Sequence, residues 1–261
     1  MLIAAMCNQP ERLGEALAPL GLVAPSPPGP WAMAWVHGGE ILVARTPRPT
    51  AEPIDLGAAI AEPASDCVLA TALGAAHPGE PDDVPPFRFR RWMLAEDPTV
   101  VVPSERFSEL TAHVPEFLRR NLRGRTTAEL TLHTVLALLH DQGRADDLTL
   151  RVEALGRVLV EATALVAAAL RRAGLEPSHG TVAASNSRAL AIVSAQPLAV
   201  YGLRVDNDRG QPDPSFRGTL IIGGGPAEVA SGDAIPERIG AGSVVTVSRD
   251  LHVDIAPLAT P

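Results

Sequence analysis

Few residues in this sequence are equipped for chemistry. Cys7 and Cys67 are the strongest nucleophiles available, but two cysteines cannot build a disulfide framework, and no C-x-x-C pair exists for zinc or redox work. Cys7 reads either as a nucleophile or as a small buried hydrophobe. Glu96 and Asp97 are adjacent carboxylates that could perform acid–base work on a substrate. An ion-paired or solvated strand end is the simpler reading of that pair. His77 precedes Glu80, Asp82 and Asp83 in a polar stretch, which reads as a solvated acidic loop before a metal site. His133 and His140 lie seven apart on one helix, whereas two ligands of one metal want i and i+4. Gly223-Gly-Gly-Pro226 follows a strand and could cradle an anion, but it lacks the Lys and Ser/Thr of a phosphate loop and reads as a turn. No G-x-S-x-G nucleophile elbow occurs, and Ser185-Asn-Ser187 reads as a hairpin turn. These residues call for no metal and no cofactor.

The elements that must position them alternate in character along the chain. Leu2–Met6 reads as a short buried strand, followed by a helix to about Leu20 with Asn8 as its cap. Pro25–Pro30 reads as a turn. Trp31–Val36 and Glu40–Arg45 form a hairpin around His37–Gly39, and Thr46–Pro53 is a loop. Cys67–Thr71 and Phe89–Ala95 are further strands. The middle third is helical: Ser104–Leu122, split at Pro115; a helix opened by the T-x-x-E capping box of Thr126 and Glu129; and a long helix carrying Leu148, Val152, Leu155, Leu159, Val166 and Leu170 on one face. The last third returns to short strands. Strands, then helices, then strands predict α+β layering in a single domain spanning 1–261.

Composition narrows the function classes. A formal charge of −8 and the absence of a basic stripe argue against nucleic-acid binding. The arginine clusters read as local ion-pair partners. The longest apolar run is interrupted by Glu161 and is too short for a bilayer, and no basic region precedes an N-terminal apolar stretch. A reduced, cytoplasmic setting is the expectation. Aromatics make up only 3% of the chain, so Ala, Val and Leu must fill the core.

Five local strings, in order, resemble the class II glutamine amidotransferase domains, whose fold is of the N-terminal-nucleophile (Ntn) hydrolase type. Trp31-Ala-Met-Ala-Trp35 with His37-Gly-Gly-Glu40 looks like the family's G-W-G-I-G-W strand and hairpin. Cys67-Val-Leu-Ala-Thr-Ala-Leu-Gly74 is similar to H-V-R-x-A-T-x-G. Pro86-Phe-Arg-Phe-Arg-Arg-Trp-Met-Leu-Ala95 is similar to H-P-F-x-x-G-R-W-x-F-A. Arg123-Gly-Arg-Thr-Thr-Ala-Glu-Leu130 resembles R-G-x-T-D-S-E-L, and Gly242–Val247 resembles the final strand pair. The resemblance implies a four-layer α/β/β/α sandwich.

It also implies a chemistry whose groups are missing. The family attacks a glutamine amide with an N-terminal cysteine thiol, using the cysteine's own α-amine as base. That position is Leu2 here. The substrate-carboxylate arginine falls at Leu69, the Asn-Gly oxyanion pair at Asp97-Pro98, and the substrate-amine aspartate at Thr127. A leucine offers no donors, an ionised Asp97 repels an oxyanion, and Pro98 has no N–H. Loss of one oxyanion donor alone typically costs roughly 10²–10³ in rate. The expectation is a catalytically inactive, amidotransferase-like protein that binds a protein partner or a small ligand, with or without self-association. Trp31, Leu69, Glu96, Asp97 and Thr127 are its candidate pocket residues. The alternative is an amidohydrolase, acting for example on γ-glutamyl amides, that uses Cys7 or Glu96/Asp97.

Overall fold

The computed structural model describes residues 1–24, 28–46, 54–75, 77, 80–147, 149–224 and 235–258. Two antiparallel sheets stack face to face. The first contains β1 (Leu2–Cys7), β2 (Pro28–His37), β3 (Glu40–Thr46), β4 (Cys67–Gly74), β9 (Leu198–Leu203), β10 (Gly218–Gly223) and β11 (Glu237–Ile239), in the order β11-β9-β10-β1-β4-β2-β3. The second contains β5 (Phe87–Phe89), β6 (Trp92–Asp97), β7 (Thr181–Ser185), β8 (Leu190–Ser194), β12 (Ser243–Val247) and β13 (Val253–Pro257), in the order β13-β12-β8-β7-β6-β5. Helices α1 (Leu13–Leu17) and α2 (Leu56–Ala61) cover the outer face of the first sheet. After the short α3 (Ser104–Leu110) and α4 (Glu116–Arg119), the long α5 (Thr127–Asp141) and α6 (Val152–Arg172) cover the outer face of the second. This is the α/β/β/α sandwich.

Three apolar layers follow from strand alternation. In β1, Leu2, Ala4 and Met6 point between the sheets, where they join Leu69, Met93, Ala95, Ala183 and Ile192. Ile3, Ala5 and Cys7 point outward to α1 and α2. All six residues of β1 are buried because β1 lies mid-sheet, paired with β10 on one side and β4 on the other. Fully burying one such leucine is worth roughly 1.5–3 kcal/mol.

Local chemistry sets several boundaries. Pro115 splits the helical stretch 104–122, ending up as the N-cap of α4. Thr126 caps α5, accepting from the Glu129 N–H at 3.2 Å, but the Glu129 carboxylate does not close the capping box. It reaches further back and accepts from the Arg123 N–H at 3.0 Å and the Gly124 N–H at 2.8 Å. Gly124 is required there, since a Cβ would sit 1.9 Å from the Asp82 carbonyl oxygen. Twelve of the fifteen residues of α5 are buried, because it lies between the sheet and α6 rather than presenting a single stripe.

Other expectations shift. Asn8 caps no helix; its side chain donates to the Ser215 carbonyl and accepts from the Arg217 N–H. The chain after it makes one short α-helix flanked by 3-10 turns. β2 begins at Pro28, inside the stretch read as a turn, with a bulge before Trp31. Residues 25–27, most of the 46–53 loop, and Leu148 lie outside the described residues. Among the described residues, no helix is long and apolar enough to cross a membrane.

Leu69→Ala should lower the unfolding free energy by roughly 2–5 kcal/mol in urea titrations. Leu165→Ala, on the exposed side of α6, should change it by about 0.5 kcal/mol at most. Equal effects would remove Leu69 from the inter-sheet core.

Candidate functional site

The ends of β1, β4, β6, β7 and β10 converge at one end of the sandwich. There the Met1 amine donates to the Ala72 carbonyl at 2.8 Å and pairs with Asp97 Oδ2 at 2.7 Å. Both side chains are almost fully buried. Ala72 N–H returns a bond to the Met1 carbonyl, so Met1 extends the β1–β4 ladder up to the ion pair. Burial pushes the Asp97 carboxyl up, and the ammonium and His77 only partly oppose this.

Asp97 is held by close backbone. A Cβ on Gly224, which has φ +76°, would sit 2.1 Å from Asp97 Oδ2. One on Gly180 would sit 2.2 Å from the Asp97 carbonyl oxygen. Gly224 of the stretch Gly223-Gly-Gly-Pro226 therefore has a packing reason, as does Gly223, where a Cβ would sit 2.7 Å from Leu198 Cδ2; Gly225 and Pro226 lie outside the described residues. A cleft of 420 Å³ opens beside the ion pair, lined by Leu73, Gly74, His77, Asp97, Pro98, Thr99, Val100 and Val101. His77 is half-buried, and burial pulls its imidazole down. The polar side chains that line it are thus a carboxylate, an imidazole and Thr99, whose hydroxyl is engaged by the Ala128 N–H and the Thr127 hydroxyl at the start of α5. No thiol lines the cleft among its described residues.

The sequence candidates separate. Asp97 and Pro98 reach the cleft; Trp31, Leu69, Glu96 and Thr127 do not line it. Leu2 and Leu69 are both 0% exposed between the sheets. Trp31 packs against the outer core beneath α1 and α2. Thr127 ties the β6–α5 connection together: its hydroxyl accepts from the Val100 N–H at 3.0 Å, and its own N–H donates to the Val100 carbonyl.

The fold separates the groups of the two alternative chemistries. Glu96 and Asp97 do not form a working pair, because alternation along β6 sends them to opposite faces. Asp97 meets Met1 between the sheets, while Glu96 is buried on the helix side beside the Thr127 and Ser178 hydroxyls. Burial there pushes the Glu96 carboxyl up to about 8, and its Oε2 has no hydrogen-bond partner. Cys7, the fallback nucleophile, does not line the cleft. It lies at the opposite end of β1 from Met1, roughly 20 Å away at ~3.3 Å per residue. It also faces the outer core, and burial raises its thiol to about 11, leaving negligible thiolate. Cys67 is fully buried and is pushed up to about 12.

Sequence reasoning placed His77 with Glu80, Asp82 and Asp83. The fold keeps Asp83 within electrostatic reach of His77 and adds Asp97 from β6, while Asp83 also accepts from the Arg125 N–H at 2.9 Å. Nothing in the local sequence signalled this, since β4 and β6 belong to different sheets. No group of three or more potential metal ligands occurs among the described residues.

No protein-family model and no curated protein matches the chain. Solved structures match it end to end. A glutamine aminotransferase class-II domain protein from Silicibacter pomeroyi aligns over 100% of both chains at 15% identity, with a TM-score of 0.56. This chain has the class II glutamine amidotransferase fold. A predicted glutamine amidotransferase from Pseudomonas aeruginosa aligns over 97% of this chain and 94% of its own at 15% identity and a TM-score of 0.53. The glutamine phosphoribosylpyrophosphate amidotransferase from B. subtilis aligns over 100% of this chain and 49% of its own, at 9% identity and a TM-score of 0.50. At these identities the likeness is one of fold, and fold alone does not carry activity.

The buried acids set a pH dependence. Glu96 is raised to about 8 and Glu129 to about 7, both from 4.5 and both mainly by burial. The native state therefore holds protons that the unfolded state has already released. Below pH 6.5, His77, His113 and His133, whose values are lowered by burial, act in the opposite sense. The histidines' effect fades as pH passes through 6.5, the carboxyls then dominate, and stability should fall as pH rises from about 7 to about 8.5, by at most ~1.4 kcal/mol per pH unit per group. Urea midpoints should show this fall, and Glu96→Gln should shrink it. A midpoint that is flat across the window would sink the assignment.

Proposed function

We propose that this chain is a non-catalytic protein on the amidotransferase scaffold, acting by binding. The observation that carries the reading is Leu2. By the sequence resemblance it stands where the family places its nucleophilic cysteine, and its side chain is wholly buried between the sheets. A methyl-ended side chain cannot attack an amide. The neighbouring positions support the same reading. Leu69 supplies no donor for a substrate carboxylate. Pro98 lacks an N–H, and Asp97 is an acceptor already engaged by the Met1 ammonium.

The rim cleft is where a ligand would fit. Its mixed lining of Asp97, His77 and Thr99 against Leu73, Pro98 and Val101 suits a small molecule with both polar and apolar parts. The relocated-enzyme reading finds no support from Cys7 or from a Glu96/Asp97 pair.

The test is ammonia and glutamate release from L-glutamine and γ-glutamyl peptides by the purified chain, by Cys7→Ala and by Leu2→Cys, with intact mass establishing the N-terminus. All three should stay at background, Leu2→Cys included, because the donors for carboxylate and oxyanion remain absent. Release by the wild type would overturn the non-catalytic reading. Its loss in Cys7→Ala would return the nucleophile to Cys7.

A further inference from the structure

A second pocket lies away from the rim cleft, at the β5–β6 turn. It encloses 180 Å³ between Phe89, Trp92, Phe117 and His140, with Arg90 and Asp146 at its edge. The chain has five Phe, three Trp and one Tyr, and three of these aromatics meet in this one small space. Phe117 is 45% exposed although apolar, and its ring stands edge-on to His140 at 4.9 Å, which fixes its orientation. Trp92 is buried as a wall, its indole N–H donating to the Ala145 carbonyl at 2.9 Å.

A cation of the chain itself already uses this place. The Arg90 guanidinium lies 5.5 Å from the centre of the Phe89 ring and pairs with Asp146 at 3.1 Å. Both partners are mostly exposed, so the pair is weak and readily displaced. Arg90 also adopts φ +52°, a left-handed conformation that favours glycine. That angle suits the two-residue turn Arg90-Arg91 between β5 and β6, and the side chain it projects, over an aromatic face and beside a carboxylate, shows that the place accepts a cation.

We propose that this pocket binds a methylated ammonium group, which takes the place of the Arg90 guanidinium. Aromatic faces attract a cation through their quadrupole, and Asp146 supplies the opposite charge at the mouth. Methylation matters because Phe89, Trp92, Leu118 and Leu136 make the inner lining largely apolar, so N–H groups of a primary ammonium turned towards them would lose water that methyl groups do not hold. At 180 Å³ the pocket takes a headgroup rather than a drug-sized molecule. The group could belong to a free molecule such as choline or to a trimethylated lysine in a protein.

The test is NMR titration of the indole N–H resonances with choline, a trimethyllysine peptide, and 3,3-dimethylbutanol as the neutral isostere of choline. Choline should shift the Trp92 indole saturably and bind roughly tenfold or more tightly than the isostere. Trp31 and Trp35 should not respond. Phe117→Ala and Asp146→Asn, both surface changes, should weaken binding, while Arg90→Gly should strengthen it by removing the internal competitor. Tighter binding of the peptide would assign the group to a protein partner, and tighter binding of choline to a small molecule. Equal binding of the isostere, no saturable shift at Trp92, or unchanged affinity in Phe117→Ala would overturn the proposal.

Discussion

Each central strand of this protein is buried on both faces, and that constraint governs the rest. A strand between two sheets, or between a sheet and a helix layer, has no solvent side to which it can send a polar residue. Most side chains on β1, β4 and β6 are therefore assigned to one of two dry cores by parity, while Leu73 and Asp97 at the strand ends reach the cleft. Leu2 and Leu69 fill the layer between the sheets. Cys7, at odd parity with Ile3 and Ala5, falls to the helix side. The same rule splits Glu96 from Asp97, although they are neighbours in the chain. One residue of register decides whether a group can reach the cleft.

Placing acids in such a structure requires local compensation. Asp97 is matched by an ammonium and wrapped by glycines that let it approach the backbone. Glu129 is matched by two backbone N–H groups at the turn before its own helix, which also fixes the loop carrying Asp82 and Asp83. Glu96 has hydroxyls beside it but no cation, and it responds by holding its proton. Three buried carboxyls thus reach three solutions, set by what the surrounding elements bring within reach.

On the non-catalytic reading proposed above, the scaffold and the site have separate requirements. The scaffold needs apolar alternation, a capped α5 and a glycine at 124, and all three are present. The site would need charged and donor groups at positions where this chain has leucine and proline. Those replacements are themselves good core and turn residues. Leu2 and Leu69 add burial to the inter-sheet layer.

The sequence by itself determined the local elements. The strand at Leu2–Met6, the hairpin around His37–Gly39, the break at Pro115 and the Thr126 cap all depend on neighbouring residues, and local sequence encodes neighbours. It also determined the order of elements, and through the five strings the four-layer fold. Tertiary structure decided which groups share a space. His77 meets Asp97, and Phe117 meets Phe89 and Trp92, only because separate elements dock there. It decided protonation as well, since a carboxyl at 96 is an ordinary acid until burial removes its water. Asn8 shows the converse: a good capping residue in sequence, it was drawn off to the 215–217 backbone by a partner more than 200 residues away. Parity along a strand can be read from the chain; what lies opposite each face is set by strands and helices distant in sequence.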